Sequence, residues 1–313
     1  MKLIKYTWIF LLFFCVTKGV SQDYERVDAT IQLYPTQFNS AEELSRFIER
    51  DFTSEDEKVR AIYGWIIQNV VYDPEEYKQF NFHFTNYRER NQKEEKTREK
   101  IIKRTLKKGI AVCEGYAMVF EKLCELSGIS NYLVRGDTKT NFKDIGRPFN
   151  KNHMWNVAMI NGEPFLFDPT WGAGRFNQKF IKEPSYFYFK TQPELFFKTH
   201  YPDMYEDAFM KEEVSRTDFS LLPIIIAKEL LPEDIESPKT GFINTQDYFD
   251  EILFSIKNSN AQTVGYSYEF EEIKIDTIEK EGNTLTFSVP IVLSVRNLLI
   301  YFDGKPALGY KLK

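Results

Sequence analysis

Apolar residues recur at helical spacing in three stretches of the first half of the chain. Leu44, Phe47 and Ile48 mark one face over residues 40–50, opened by Ser40 with Glu43 three residues on, the spacing of a capping box. Val59, Ile62, Trp65, Ile66 and Val70 mark a second, capped by Thr53 or Ser54. A third helix is expected to begin at Cys113. Glu114 falls in its first turn, where a carboxylate suits the helix dipole. Tyr116, Ala117, Phe120, Leu123 and Cys124 keep its inner face, Gly128 stops it, and Gly109 loosens the backbone before the cysteine. Between the second and third helices, residues 88–108 hold ten Lys/Arg and four Glu. That run reads as a solvated, charge-laced helix, with a basic patch for an acidic partner as the competing reading.

Period-two patterning then takes over. Asn131 to Arg135 reads as a short strand, followed by a polar loop over 136–152 that is long enough for a functional role. His153 to Ile160 and Glu163 to Asp168 flank Asn161-Gly162, a strong hairpin signal. A two-residue turn pairs Ile160 with Glu163. It sets Asp168 opposite Trp155 and His153 opposite Thr170. His153 and Trp155 share a face, so Asp168 becomes a diagonal same-face neighbour of His153, at a Cα separation of about 7–8 Å. Pro169 cannot donate to a ladder, so pairing is expected to stop at Asp168 and leave the histidine at an opening strand end. Residues 212–240 read as irregular. Strands are expected at 251–256, 266–278, 284–289 and 298–302, with turns at 281–283 and 303–305, giving a small antiparallel β domain from about residue 235.

Charge and cysteine content narrow the class. Residues 1–21 carry Lys2, Lys5 and an apolar run from Trp8 to Val16, with Gly19 and Ser21 as small exit residues. This is the pattern of a secretory signal peptide, too short to favour a membrane span, and it implies an exported protein, periplasmic or secreted, with no stable membrane insertion. Its removal loses Lys2, Lys5 and Lys18 and takes the net charge from −5 to −8, a poor balance for nucleic-acid binding. Cys113 and Cys124 then remain. On one helix, eleven residues put them about 16 Å apart, beyond disulfide reach. Cys124, among Phe120, Leu123 and Leu126, reads as a small core residue.

Cys113 at a helix start, His153 at a strand end and Asp168 beside it are the parts of thiol-acyl chemistry. The nucleophile is the thiolate, which a helix N-terminus and an imidazolium both favour. The histidine moves the proton and the carboxylate fixes its tautomer. Of the three histidines, His83, His153 and His200, only His153 sits beside an acid on the hairpin, and His200 reads as a loop contact. The same residues also fit a core histidine satisfied by Asp168, with Cys113 as packing. Zinc ligation by the three lacks any close-spaced ligand pair.

Lys108-Gly-Ile-Ala-Val-Cys113-Glu-Gly-Tyr-Ala117, His153-Met-Trp-Asn-Val157 and Asp168-Pro-Thr-Trp171 resemble the nucleophile, histidine and acid motifs of the transglutaminase-like superfamily. Trp65 to Asp73 resembles the helix before the core. Phe196 to Pro202 resembles a segment of the kyphoscoliosis-peptidase-like and cytokinesis-protein branch. The resemblance covers roughly residues 55–205. It implies an α+β fold: a papain-like transglutaminase core, with a central helix packed on an antiparallel sheet, followed by the small antiparallel β domain. The expected organisation is residues 1–21 as signal peptide, 22–212 as the transglutaminase-like domain and 213–313 as linker and C-terminal β domain. It also implies a Cys113-His153-Asp168 triad acting on amide bonds of a peptide or protein substrate, as peptidase or acyl transferase. A non-catalytic binding or scaffolding module is the alternative. No cofactor and no metal are expected, and oligomeric state is left open. The charged insertion around 77–107 is expected to shape access to the cleft. Trp65, Trp155 and Trp171 are candidate substrate-binding residues, each with core packing as the competing role. The backbone N–H of Cys113 is the expected oxyanion donor.

Overall fold

The computed structural model describes residues 24–79, 87–268, 271–292 and 294–313. The leader reading of residues 1–21 and His83 therefore lie outside the described residues. Helices α1 (Tyr24–Ile31), α2 (Ala41–Asp51) and α3 (Glu55–Asn69) precede the short strand β1 (Val71–Tyr72), helix α4 (Tyr87–Lys108), strand β2 (Ile110–Ala111) and helix α5 (Cys113–Leu126). Ser54 caps α3 through a full capping box with Glu57. At α2 the expected box does not form. Ser40 makes no side-chain cap, and Glu43 instead accepts from the N–H of Asn39 at 2.8 Å.

α5 is the central helix. Tyr116, Phe120, Leu123 and Cys124 are buried in one core with Ile62, Trp65 and Ile66 of α3 and Leu44 and Ile48 of α2. Each large apolar side chain fully buried there contributes about 2–3 kcal/mol. The helix ends in a Schellman pattern, with Gly128 N–H donating to Glu125 O and Ile129 N–H to Cys124 O. Its start is set by β2, which pairs in parallel with β1, so Cys113 follows directly from a strand into the first turn.

The sheet beside α5 is built from β3 (Asn131–Thr138), β4 (His153–Ile160) and β5 (Glu163–Phe167). After β5 come helix α6 (Pro169–Ala173), a hairpin of β6 (Gly174–Asn177) and β7 (Lys179–Lys182), strand β8 (Phe189–Thr191), helix α7 (Pro193–Phe197) and strand β9 (His200–Pro202). The five-stranded antiparallel order is β8-β5-β4-β3-β9. The hairpin has the expected register, Ile160 facing Glu163 and Asn156 facing Phe167, and Asn161 and Gly162 turn it at φ 53° and 84°. Pairing ends at Phe167, one residue earlier than expected, so Asp168 and Thr170 face no strand partner. Asp168 leaves the ladder to cap α6, and Pro169 takes the first helical position, where no N–H is needed.

Strand alternation divides β4. Met154 and Ala158 join cores that include α5, and Asn156 ties the two elements by donating to Ala117 O at 3.0 Å. Trp155 and Val157 pack on the other face with Val134, Leu166 and Phe196. In the row across the sheet, Gly136 lies between His153 and Pro202. A Cβ added to Gly136 would run into the Trp155 ring and the Tyr201 carbonyl. Gly136→Ala is therefore expected to cost about 1–3 kcal/mol. That should appear as a fall of about 5 °C in thermal unfolding, and an unchanged midpoint would show that the row tolerates a methyl.

The expected loop 136–152 is shorter than its reading, because β3 runs on to Thr138. Arg147 ties the rest down through Asp137 and Asp144. After residue 223 the chain forms two sheets. One runs Ile224–Ile225, Lys305–Leu312, Asn297–Phe302, Val264–Ser267 and Ile273–Lys274, with Phe242–Ile243 also on Lys305–Leu312. The other runs Ile235–Ser237, Glu251–Lys257, Thr284–Pro290 and Glu279–Glu281. Phe254, Phe287, Ile300 and Tyr310 share the core between them. The segment read as irregular holds a helix, Arg216–Leu221, and the long strand read over 266–278 is broken into two short ones. No helix among the described residues is long and apolar enough to cross a membrane.

Candidate active site

His153 is the first residue of β4, where the N-terminus of α5 and the far face of the sheet meet. Its Nε2 lies 2.7 Å from Asp168 Oδ2. That leaves Nδ1 free to face Cys113, the first residue of α5, which also bears on the charge of the imidazole. Cys113 is 4% exposed and Asp168 fully buried. Burial works against charge on His153, but the Asp168 carboxylate and the hydrogen bonds of Asp168 and Cys113 outweigh it and raise its pKa to about 10. Burial likewise opposes ionisation of Asp168. His153, together with a hydrogen bond from His200, wins and holds the carboxyl well below the usual range.

Asp168 owes its position to local geometry. As the N-cap of α6, its Oδ1 accepts from the N–H of Thr170 at 2.8 Å and of Trp171 at 3.0 Å. Oδ2 is then free to face the imidazole. The sequence places the pair on one face; the cap determines which oxygen does which task.

Three other residues enter the site. His200 was expected in a loop. It lies in β9, completely buried, with Nε2 3.0 Å from the same Asp168 Oδ2. Tyr77, at the start of the charged insertion, places its hydroxyl 3.3 Å from Cys113 Sγ. Burial, and after it the neighbouring thiol, pushes this phenol above its ordinary pKa, so it stays a donor at neutral pH. Asn156 braces β4 against the cysteine helix. His200 and Tyr77 stand 32 and 36 residues from their partners in the chain, and no local spacing links them; the His200-Tyr-Pro202 segment was the one available signal.

The tryptophans separate. Trp65 is fully buried, and its indole N–H donates to Pro35 O at 2.9 Å, so neither an oxyanion nor a substrate role fits it. Trp155 is 1% exposed and cannot line a groove, although its Nε1 has no hydrogen-bond partner among the described residues. Trp171 is partly exposed, with its ring centroid 5.9 Å from that of His153 and 4.4 Å from that of His200, and it keeps a place on the cleft wall. His153, Asp168 and His200 bring ligand-type atoms within 4.8 Å of one another. Their N···O separations of 2.7 and 3.0 Å are those of direct hydrogen bonds. Cys124 is buried, and burial pushes its thiol up, away from the reactive form.

The family model of the transglutaminase-like superfamily core matches residues 42–169, which take in α5, the hairpin and Cys113, His153 and Asp168. This segment is a transglutaminase-like domain. Kyphoscoliosis peptidase of Mus musculus is 31% identical over 189 residues, covering 58% of this chain and 26% of the relative. The Homo sapiens protein is 30% identical over 190 residues, with the same two shares. The chain thus spans about a quarter of the length of these curated relatives. A solved structure described as the crystal structure of a TGase aligns at a TM-score of 0.30 and 18% identity, over 56% of this chain and 40% of that one. A superposition that loose leaves the fold to the strand order itself. The transglutaminase-like domain is α+β and papain-like, with the helix bearing Cys113 packed on the antiparallel sheet bearing His153.

Proposed function

We propose that the chain is an enzyme that transfers or hydrolyses acyl groups at amide bonds of peptides or proteins through a thioester on Cys113. The observation that carries this reading is the His153–Asp168 contact at the start of β4, with Cys113 at the start of the helix that packs on that strand beside Met154. The thiol proton rests on His153 as the imidazolium, and Sγ attacks the carbonyl carbon as the thiolate. The oxyanion forms beside the backbone N–H of Cys113, at the helix N-terminus. Collapse breaks the C–N bond, and His153 returns the proton to the leaving amine. Water or a second amine then releases the acyl group. The word peptidase in the relatives' name favours water. With the leader reading of residues 1–21, the activity belongs outside the cytoplasm.

The covered thiol, 4% exposed beneath Tyr77, favours a second reading, a binding module without turnover. One comparison separates the two. Wild type and Cys113→Ala are incubated with a peptide library, with and without an added amine. Cleaved or amine-tagged peptides from wild type alone are expected; identical products from both proteins would rule out thiol catalysis.

A further inference from the structure

The contact between His200 and the carboxylate has a chemistry of its own. Asp168 is fully buried and receives four donors: two backbone N–H groups on Oδ1, and two imidazoles on Oδ2. We infer that His200 is a positioning residue of the proposed reaction, a neutral imidazole that clamps Asp168 Oδ2 so that its remaining lone pair faces His153. This inference rests on the triad reading and adds a fourth member to it.

The geometry fixes the direction of each proton. The Asp168 carboxylate can only accept, so the ring proton of His200 sits on Nε2, and Nδ1, 2.8 Å from the Thr199 hydroxyl, is left as an acceptor. The hydroxyl therefore donates to Nδ1. Burial disfavours a charge on this ring, so it donates as a neutral group. The ring is packed by Phe196 and Trp171, with centroids 4.1 and 4.4 Å away, and by Trp155 and Tyr188 at 5.2 and 5.8 Å. A side chain so enclosed has a single orientation, and the carboxylate it holds has one too. The sheet makes the meeting possible. β3 runs between β4 and β9, with Gly136 opposite both His153 and Pro202 and Thr138 opposite His200, so β3 offers no side chain of its own beside His153. The ring centroids of the two histidines are 5.6 Å apart.

Structural filler and positioning residue make different predictions. His200→Phe keeps the aromatic packing and drops the donor; His200→Gln keeps an N–H donor. The probe is iodoacetamide, and the readout is the rate of Cys113 labelling against pH, with wild type and His153→Ala alongside. His200→Phe is expected to label Cys113 about tenfold more slowly than wild type at pH 6, with His200→Gln recovering most of the rate. A wild-type profile in His200→Phe, or equal losses in both variants, overturns the inference. If the phenylalanine variant does not fold, Thr199→Val carries the test. It removes the hydroxyl that donates to Nδ1 and is expected to slow labelling about threefold, and a wild-type rate there overturns the inference too. Equal labelling of wild type and His153→Ala has another meaning: the triad reading itself fails, and this one falls with it.

Discussion

Asp168→Asn is expected to lose about three to four orders of magnitude in turnover and about 3–5 kcal/mol in stability. The amide oxygen can still accept from the N–H groups of Thr170 and Trp171. Its NH2 group, however, then meets two imidazole Nε2 atoms that had both faced a carboxylate oxygen. One ring must turn to its other tautomer or lose its partner in a fully buried site, and either outcome removes the orientation of His153. The stability gap should also depend on pH, with a sign set by both partners. Asp168 has a depressed pKa, so its contribution is present above the unfolded carboxyl value of about 4 and is lost as pH falls through the folded one. His153 has a raised pKa, so its contribution is complete below about 6.5 in the unfolded reference and is lost as pH rises through about 10. Wild type and Asp168→Asn should therefore differ most between about pH 4 and 6.5 and converge toward pH 10. Denaturant unfolding of both proteins at pH 5.5 and pH 10 measures this; a gap that does not change with pH would mean the pair is not ionic in the folded state.

His153→Ala is expected to slow iodoacetamide labelling of Cys113 at least about 100-fold at pH 6, because it removes the imidazolium that favours the reactive thiolate. The wild-type partner is an imidazolium that persists to about pH 10, so the ratio between the two proteins should fall toward unity as pH passes that value. Cys124 is an internal control. It is completely buried, with its thiol pushed up by burial, and should stay unlabelled in both. Mass mapping of the modified peptide reads both cysteines in one experiment. Equal rates across the pH range would show that Cys113 and His153 do not act as a pair.

The sequence alone sets the helices and the hairpin, because their signals are local. Of the two residues read as the cap of α3, Thr53 and Ser54, it is Ser54 that caps it, and Asn161-Gly162 brings the turn and register that put His153 and Asp168 on one face. It is less reliable where one position can serve two local ends. Ser40 and Glu43 have capping spacing, yet the glutamate reaches past the serine to Asn39. Asp168 could extend the strand or cap the next helix, and Pro169 tips it to the cap.

What only the tertiary structure decides is which distant groups meet at the thiol and at the carboxylate. Cys113 joins His153 because α5 packs along β4, with Asn156 bonded to Ala117; no spacing rule in the chain encodes that. His200 reaches Asp168 because β9 pairs on the far edge of β3, His200 opposite Thr138, and Tyr77 reaches Sγ from a segment that reads as charged insertion. Trp65 and Trp155 are removed from the cleft by burial alone. Backbone pattern and capping act over a few residues and are written in them. Contacts between side chains tens of residues apart depend on how whole elements pack, and that is set by the core as a unit.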